Sequence, residues 1–203
     1  MPRPDKHRGA LVAGAGRSLQ INGYASTSIA ALLEGANAAN GSLYHHFPGG
    51  KKDLALTALE VAALAVDRSL AEALERTPDP GAAVEAWIDA LIRQLERDPL
   101  AGCPVAPTAV EGAATDEDLR LAAHAAFERW RTRLEGALEG PRAATTARVV
   151  LSAIEGALLL DRTARSTENL KALRASVRSL VEMPSPSHGD DPRSGETAGG
   201  PAC

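Results

Sequence analysis

The chain has 203 residues and a formal charge of −4; 44% of it is apolar but only 3% is aromatic. That length suits one medium domain or a small module joined to a larger one, and a core short of aromatics has to be built from Ala, Leu and Val, which favours packed helices over sheets. No apolar run approaches the ~20 residues of a membrane span, no basic-apolar leader opens the chain, and Cys103 and Cys203 make no disulfide framework, so the expected place is the cytoplasm, away from any membrane.

Charge is unevenly spread. Residues 1–53 carry +3 and the remainder −7. A basic head on an acidic body is expected where one end meets phosphate and the other does not.

In chain order, residues 6–22 predict a first helix with Ala10, Leu11, Ala15 and Leu19 on its apolar side. It stops at Asn22-Gly23, two residues that tolerate positive φ. Ser26-Thr27-Ser28 supplies an N-cap for a short helix from Ile29 to about Glu34. Gly35-Ala36-Asn37 turns the chain, and a second short helix runs from about Ala39 to Phe47 before Pro48-Gly49-Gly50 breaks it. A long helix follows from Lys51 to about Arg76.

Asp79-Pro80 restarts the chain as N-cap and first-turn proline. Val84, Trp87, Ile88, Leu91, Ile92 and Leu95 then recur at helical spacing. A short helix is expected over about Val105–Gly112. Thr115 with Asp118 three residues on resembles a capping box opening a helix to about Leu138. Pro141 and Ser166 mark two more starts, with helix ends near Leu159–Arg162 and Val181–Met183. From Pro184 onward Pro, Ser, Gly and Asp dominate, a composition that cannot bury enough surface to fold.

The expected fold is therefore all-α: a three-helix head, a linking helix and a bundle of about five. The expected domains are 1–53, 54–183 and an unfolded tail at 184–203.

Two short helices joined by a tight turn make a helix-turn-helix, which sets its second helix in the DNA major groove. The string Gly23-Tyr24-x-x-Thr27-Ser28-Ile29, followed by Gly41-Ser42-Leu43-Tyr44-His45-His46-Phe47-Pro48-Gly49-Gly50-Lys51, resembles the DNA-binding domain of TetR-family regulators. Gly41 and Ser42 are small enough to bring the helix backbone near a duplex. Tyr44 offers a flat ring and a hydroxyl, and His45 a ring N–H, for contacts that fix register. Lys51 and the start of its helix both favour a phosphate, and Thr27 or Ser28 can donate one more such contact. Leu43 and Phe47 are expected to point inward.

The chain departs from relatives at Asn37, where Gly is usual, and at Ala39-Asn40, where Ser or Pro followed by Lys is usual. Asn37 can adopt a left-handed turn. Asn40 removes a cation but can read adenine, and Lys52 can restore the lost charge. His45 and His46, about 100° apart on a helix, are poor partners for one metal ion. No metal or cofactor is expected.

Gly102-Cys103-Pro104-Val105-Ala106 with Glu111 resembles the LmrA/YxaF-like branch of the same family. That resemblance implies an effector pocket in the bundle and a homodimer formed by the last two long helices. Trp87, Cys103, Phe127 and Trp130, the scarce large or soft groups, are the candidate pocket walls, with Glu111 and His124 as polar contacts. Val149, Val150, Ile154, Leu158 and Leu159 form an apolar stripe on one of the two helices. Leu170, Leu173, Val177 and Leu180, at 3-4-3 spacing, form a seam on the other. Such a seam suits a partner helix or the protomer's own core. The implied role is a repressor that leaves operator DNA when a small hydrophobic effector binds. Two alternatives are an enzyme using Cys103, His124 and Glu111, and a DNA-binding activator.

Overall fold

The computed structural model describes residues 6–38 and 40–182. The expected unfolded tail at 184–203 lies outside them. Among the described residues the chain is nine α-helices without a strand, as the low aromatic content predicts. They are α1 (Lys6–Asn22), α2 (Ile29–Gly35), α3 (Asn40–His46), α4 (Gly50–Arg76), α5 (Pro80–Arg97), α6 (Ala106–Thr115), α7 (Glu117–Ala137), α8 (Ala143–Ala164) and α9 (Glu168–Val181).

The caps explain most of these boundaries. The Ser28 hydroxyl accepts the Ala31 N–H at the start of α2, and the Asp79 carboxylate accepts the Ala82 N–H with Pro80 in the first turn of α5. Asn37 takes φ +48°, so the asparagine does adopt the left-handed turn between α2 and α3. One expected cap is corrected. Thr115 ends α6, its hydroxyl donating back to the Glu111 carbonyl, and Asp116 caps α7 by accepting the N–H groups of Asp118 and Leu119. A carboxylate there also suits the positive end of the helix.

Two apolar cores follow. The smaller gathers Leu11, Ala15 and Leu19 of α1, Leu32 of α2, Leu43 and Phe47, and Leu54 and Ala58 of α4. The larger lies among α4, α5, α7, α8 and α9 and holds Trp87, Ile88, Trp130, Leu134, Val150, Ile154, Leu170 and Val177. Helix α4 thus contributes to both, packing on α1 at one end and on α5 and α7 farther along.

Polar ties join α4 to α7. Trp130 Nε1 donates to the Ala63 carbonyl at 3.0 Å, and Arg133 grips Asp67 through two hydrogen bonds of 2.6 and 2.7 Å. Trp130→Phe deletes the donor and shrinks a fully buried indole to a phenyl ring. It is expected to lower the unfolding free energy by about 2 to 3 kcal/mol, the lost hydrogen bond and the cavity together, read from the urea midpoint.

Of the two covers left open for the α9 seam, Leu170 and Val177 take the inner one: both are wholly buried inside the protomer, on a helix packed against α5 and α8. Val149, Leu159 and Leu160 of α8 stay exposed. Helix α8 is also, by length and composition, apolar enough to cross a membrane, against the expectation drawn from the absence of a continuous apolar run. Its inner face packs on α7 and α9, and it carries the buried Asp161.

Candidate DNA-reading head and ligand cavities

Helix α3 is anchored from beneath. Leu43 and Phe47 are buried, and the Arg8 guanidinium lies 5.2 Å from the centre of the Phe47 ring. With that face held inward, Gly41, Tyr44 and His45 face outward, Tyr44 at 52% exposure, and Ser42 is half-buried. The Asn40 side chain lies outside the described residues. Gly50 takes φ +67°, and a Cβ there would stand 3.3 Å from the Tyr44 ring. Glycine therefore lets α4 begin hard against the outward tyrosine.

Lys51 and Lys52 open α4 and do different things. Lys51 lies 4.2 Å from the centre of the Tyr24 ring, where burial lowers its pKa. Lys52 forms ion pairs with Asp118 at 2.5 Å and Asp116 at 3.0 Å, and its hydrogen bonds to those two acids raise its pKa. Thr27, expected at phosphate, is 1% exposed. Its hydroxyl donates to the Gly23 carbonyl at 2.6 Å and meets Ser18 Oγ at 3.0 Å, so it closes the α1–α2 turn. Ser28 is exposed and caps α2.

The head is tied to the body at the end of α1. Arg162 of α8 donates to the carbonyls of Gln20 and Ile21 at 2.8 and 2.6 Å. Gln20 Nε2 donates to the Gly102 carbonyl at 2.8 Å. The Glu111 carboxylate accepts the N–H groups of Tyr24 and Ala25 at 2.6 and 2.8 Å. Gly23, at φ +76°, leaves room for that carboxylate, which a Cβ would strike. Glu111, expected as a ligand contact, is thus first a clasp on the turn after α1.

Two cavities adjoin this clasp. The first, of about 260 Å³, is walled by Trp87, Leu91, Trp130, Ile154 and Gln20 among others. The second, of about 620 Å³, is walled by Ile21, Gly23, Val110, Glu111, Phe127 and Arg162 among others. Gly102, Cys103, Glu155 and Leu158 line both. Of the predicted pocket residues, Trp87 and Trp130 fall in the first, Glu111 and Phe127 in the second, and Cys103 in both. His124 is exposed on α7, in neither lining.

Glu155 is the residue that sequence reasoning missed. Burial raises its carboxyl pKa to about 7, and a hydrogen bond from Cys103 pulls the other way. The Cys103 thiol is itself pushed well up by burial and by the acid beside it, which keeps it protonated and disfavours it as a nucleophile. With His124 on an outer face, the Cys103–His124–Glu111 group of the enzyme alternative is not assembled. No group of three or more His, Cys, Asp or Glu among the described residues is placed to hold a metal ion.

Residues 11–58 match the family of bacterial regulatory proteins named for TetR, and residues 80–176 match the LmrA/YxaF-like transcriptional regulator C-terminal domain. The chain is 31% identical to the HTH-type transcriptional regulator LmrA of Bacillus subtilis, over 86% of this chain and 96% of that one. A TetR regulator from Chloroflexus aurantiacus superposes with a TM-score of 0.78 at 25% identity, covering 90% of this chain and 98% of its own. The regulatory protein TetR from Rhodobacter sphaeroides has the same fold, with a TM-score of 0.80 at 21% identity, covering 87% and 99%. With Tyr44 outward on the short α3, a fold that superposes on these regulators and family matches over both the head and the body, the chain belongs to the TetR family of transcriptional regulators, in its LmrA/YxaF-like branch.

Proposed function

We propose that this protein is a cytoplasmic, ligand-relieved repressor that binds operator DNA as a homodimer. The observation that carries the reading is Gln20, which lines the first cavity and also hydrogen-bonds α1 to the body at Gly102. A compound filling the cavities presses on the contacts that set the angle between head and body. Two heads fixed on one dimer match two half-sites only at one spacing, so a change in that angle weakens DNA binding. The exposed Val149, Leu159 and Leu160 of α8 supply an apolar face for the partner copy. To switch occupancy widely, the effector must prefer the released state by several kcal/mol.

On DNA, α3 enters the major groove with Gly41 and Ser42 at close approach. Tyr44, His45, Ser28 and Lys51 bind the backbone or the sugar edge, and Asn40 can reach a base. The effector lies among Trp87, Trp130, Phe127, Cys103 and Glu155.

The test is a gel shift on the DNA flanking the gene, with and without candidate compounds. The parent is expected to bind a discrete fragment and to leave it when a compound is added. Tyr44→Ala is expected to weaken binding by about tenfold. Lys51→Ala is expected to lower the slope of log affinity against log salt by about one. Unchanged binding by both variants would remove α3 and the start of α4 from the interface.

A further inference from the structure

Two polar groups on the cavity walls lack the partners their chemistry asks for. Trp87 is 2% exposed, yet its indole N–H has no acceptor. An indole N–H can only donate, and leaving it unmet in an apolar wall is costly. Glu155 lies on the wall common to both cavities, and it takes part in none of the ion pairs among the described residues. Its near neighbour Cys103 gives it one weak donor. Arg162, the cation of the second cavity, is already bound to the carbonyls of Gln20 and Ile21.

We infer that the wall shared by the two cavities is a receptor for a lipophilic amine, whose ammonium group pairs with the Glu155 carboxylate while an acceptor elsewhere on the same molecule takes the Trp87 N–H. This rests on the reading of these cavities as the effector site. A half-buried carboxyl facing an apolar wall without a cation keeps its proton to about pH 7. When an ammonium arrives, the carboxyl releases that proton to solvent and the pair forms inside the wall. The ligand thus supplies the charge that the protein leaves out.

Competing chemistries fit less well. A carboxylate ligand would set two acids side by side, which disfavours ionisation of both. A neutral alcohol would donate one hydrogen bond but bring no cation, so it forgoes the attraction of the full ion pair. Leu91, Trp130, Ile154 and Leu158 make most of the first cavity's wall, beside Gln20, Ser69 and Gln94, and Val110, Phe127 and Leu158 are the large apolar groups of the second, so the body of the molecule is mainly apolar.

Three matched probes separate these cases: 2-(1-naphthyloxy)ethylamine, 2-(1-naphthyloxy)ethanol and (1-naphthyloxy)acetic acid. Each is titrated calorimetrically at pH 8 into the full chain and into its E155Q and W87F variants. The amine is expected to bind the parent at least about tenfold more tightly than the alcohol, and the acid more weakly than either. E155Q is expected to erase the advantage of the amine while weakening the alcohol by no more than about threefold, since the glutamine amide oxygen still accepts its hydroxyl; retained alcohol binding also shows that the cavity is intact. W87F is expected to weaken the amine and the alcohol alike, because both carry the ether oxygen.

An alcohol that binds the parent as tightly as the amine, or an amine that keeps its advantage in E155Q, overturns the amine receptor and leaves the effector site standing. If none of the three probes binds the parent, both readings fall. Should the amine bind through Glu155 yet leave an operator fragment bound, the receptor stands and ligand-relieved repression falls.

Discussion

Glu155→Gln is expected to match the parent in stability below about pH 4.5 and to exceed it by about 3 kcal/mol at pH 8. Burial raises the folded-state pKa of Glu155 from 4.5 to about 7. Below 4.5 the carboxyl is protonated in both folded and unfolded chains, so it contributes no difference. Between 4.5 and 7 the unfolded chain ionises while the folded one resists, and stability falls by about 1.4 kcal/mol per pH unit. Above 7 both states are ionised and the loss is complete. Glutamine keeps the shape and neutrality of the protonated acid and does not titrate. Urea unfolding of parent and variant at several pH values reads the difference directly. A constant gap from pH 4.5 to 8 would mean that Glu155 is solvated, whatever its place in the wall.

The second large effect is expected at Arg162. Its guanidinium donates charge-assisted hydrogen bonds to the last carbonyls of α1, groups that have no partner within their own helix. A positive group there also complements the helix dipole. Arg162→Ala leaves both carbonyls without this donor and is expected to cost about 3 kcal/mol in unfolding free energy. Arg162→Lys, with a compact ammonium in place of a fork, is expected to recover part of that. The functional consequence differs from that of a plain structural lesion. With α1 released from α8, operator binding by the apo form is expected to persist while its response to an effector shrinks, because the coupling between sites is what the contact supplies. Gel shifts with and without ligand, alongside urea midpoints, separate the two. A variant as unstable as expected but still fully ligand-responsive would make Arg162 structural only.

The helices themselves were largely legible. Ser28, Asp79-Pro80 and Asn22-Gly23 are local signals, and each acts within three or four residues of the boundary it makes. The ordered stretch from Gly41 to Lys51 identified the reading head for the same reason. What escaped the sequence is long-range. Arg162 meets Gln20 across 142 positions, and Glu111 meets Tyr24 across 87. No periodicity announces either contact. Thr27 reads as a free hydroxyl until Ser18, nine positions earlier, is seen beside it. Glu155 sits on a helix whose apolar stripe passes through Ile154 and Leu158, so a lone acid there reads as the solvated edge. Only the fold reveals that this edge faces inward, toward Cys103. The Leu170–Leu180 seam shows the converse limit: spacing marks an apolar stripe but does not say whether it is covered by the same copy or by another.

Lys52 changes how the electrostatics of operator binding should be counted. A cation that displaces a condensed counterion from the duplex adds about one to the salt slope. Lys52 is already clamped by two carboxylates at the start of α7. If the clamp holds on the operator, this lysine releases nothing, and the protein's apparent positive valence is one short of the cations visible on the face of the head. Replacing both acids, Asp116→Asn with Asp118→Asn, would set that charge loose while an asparagine still caps α7, trading a head that is held still for one that grips any duplex more tightly and with less discrimination.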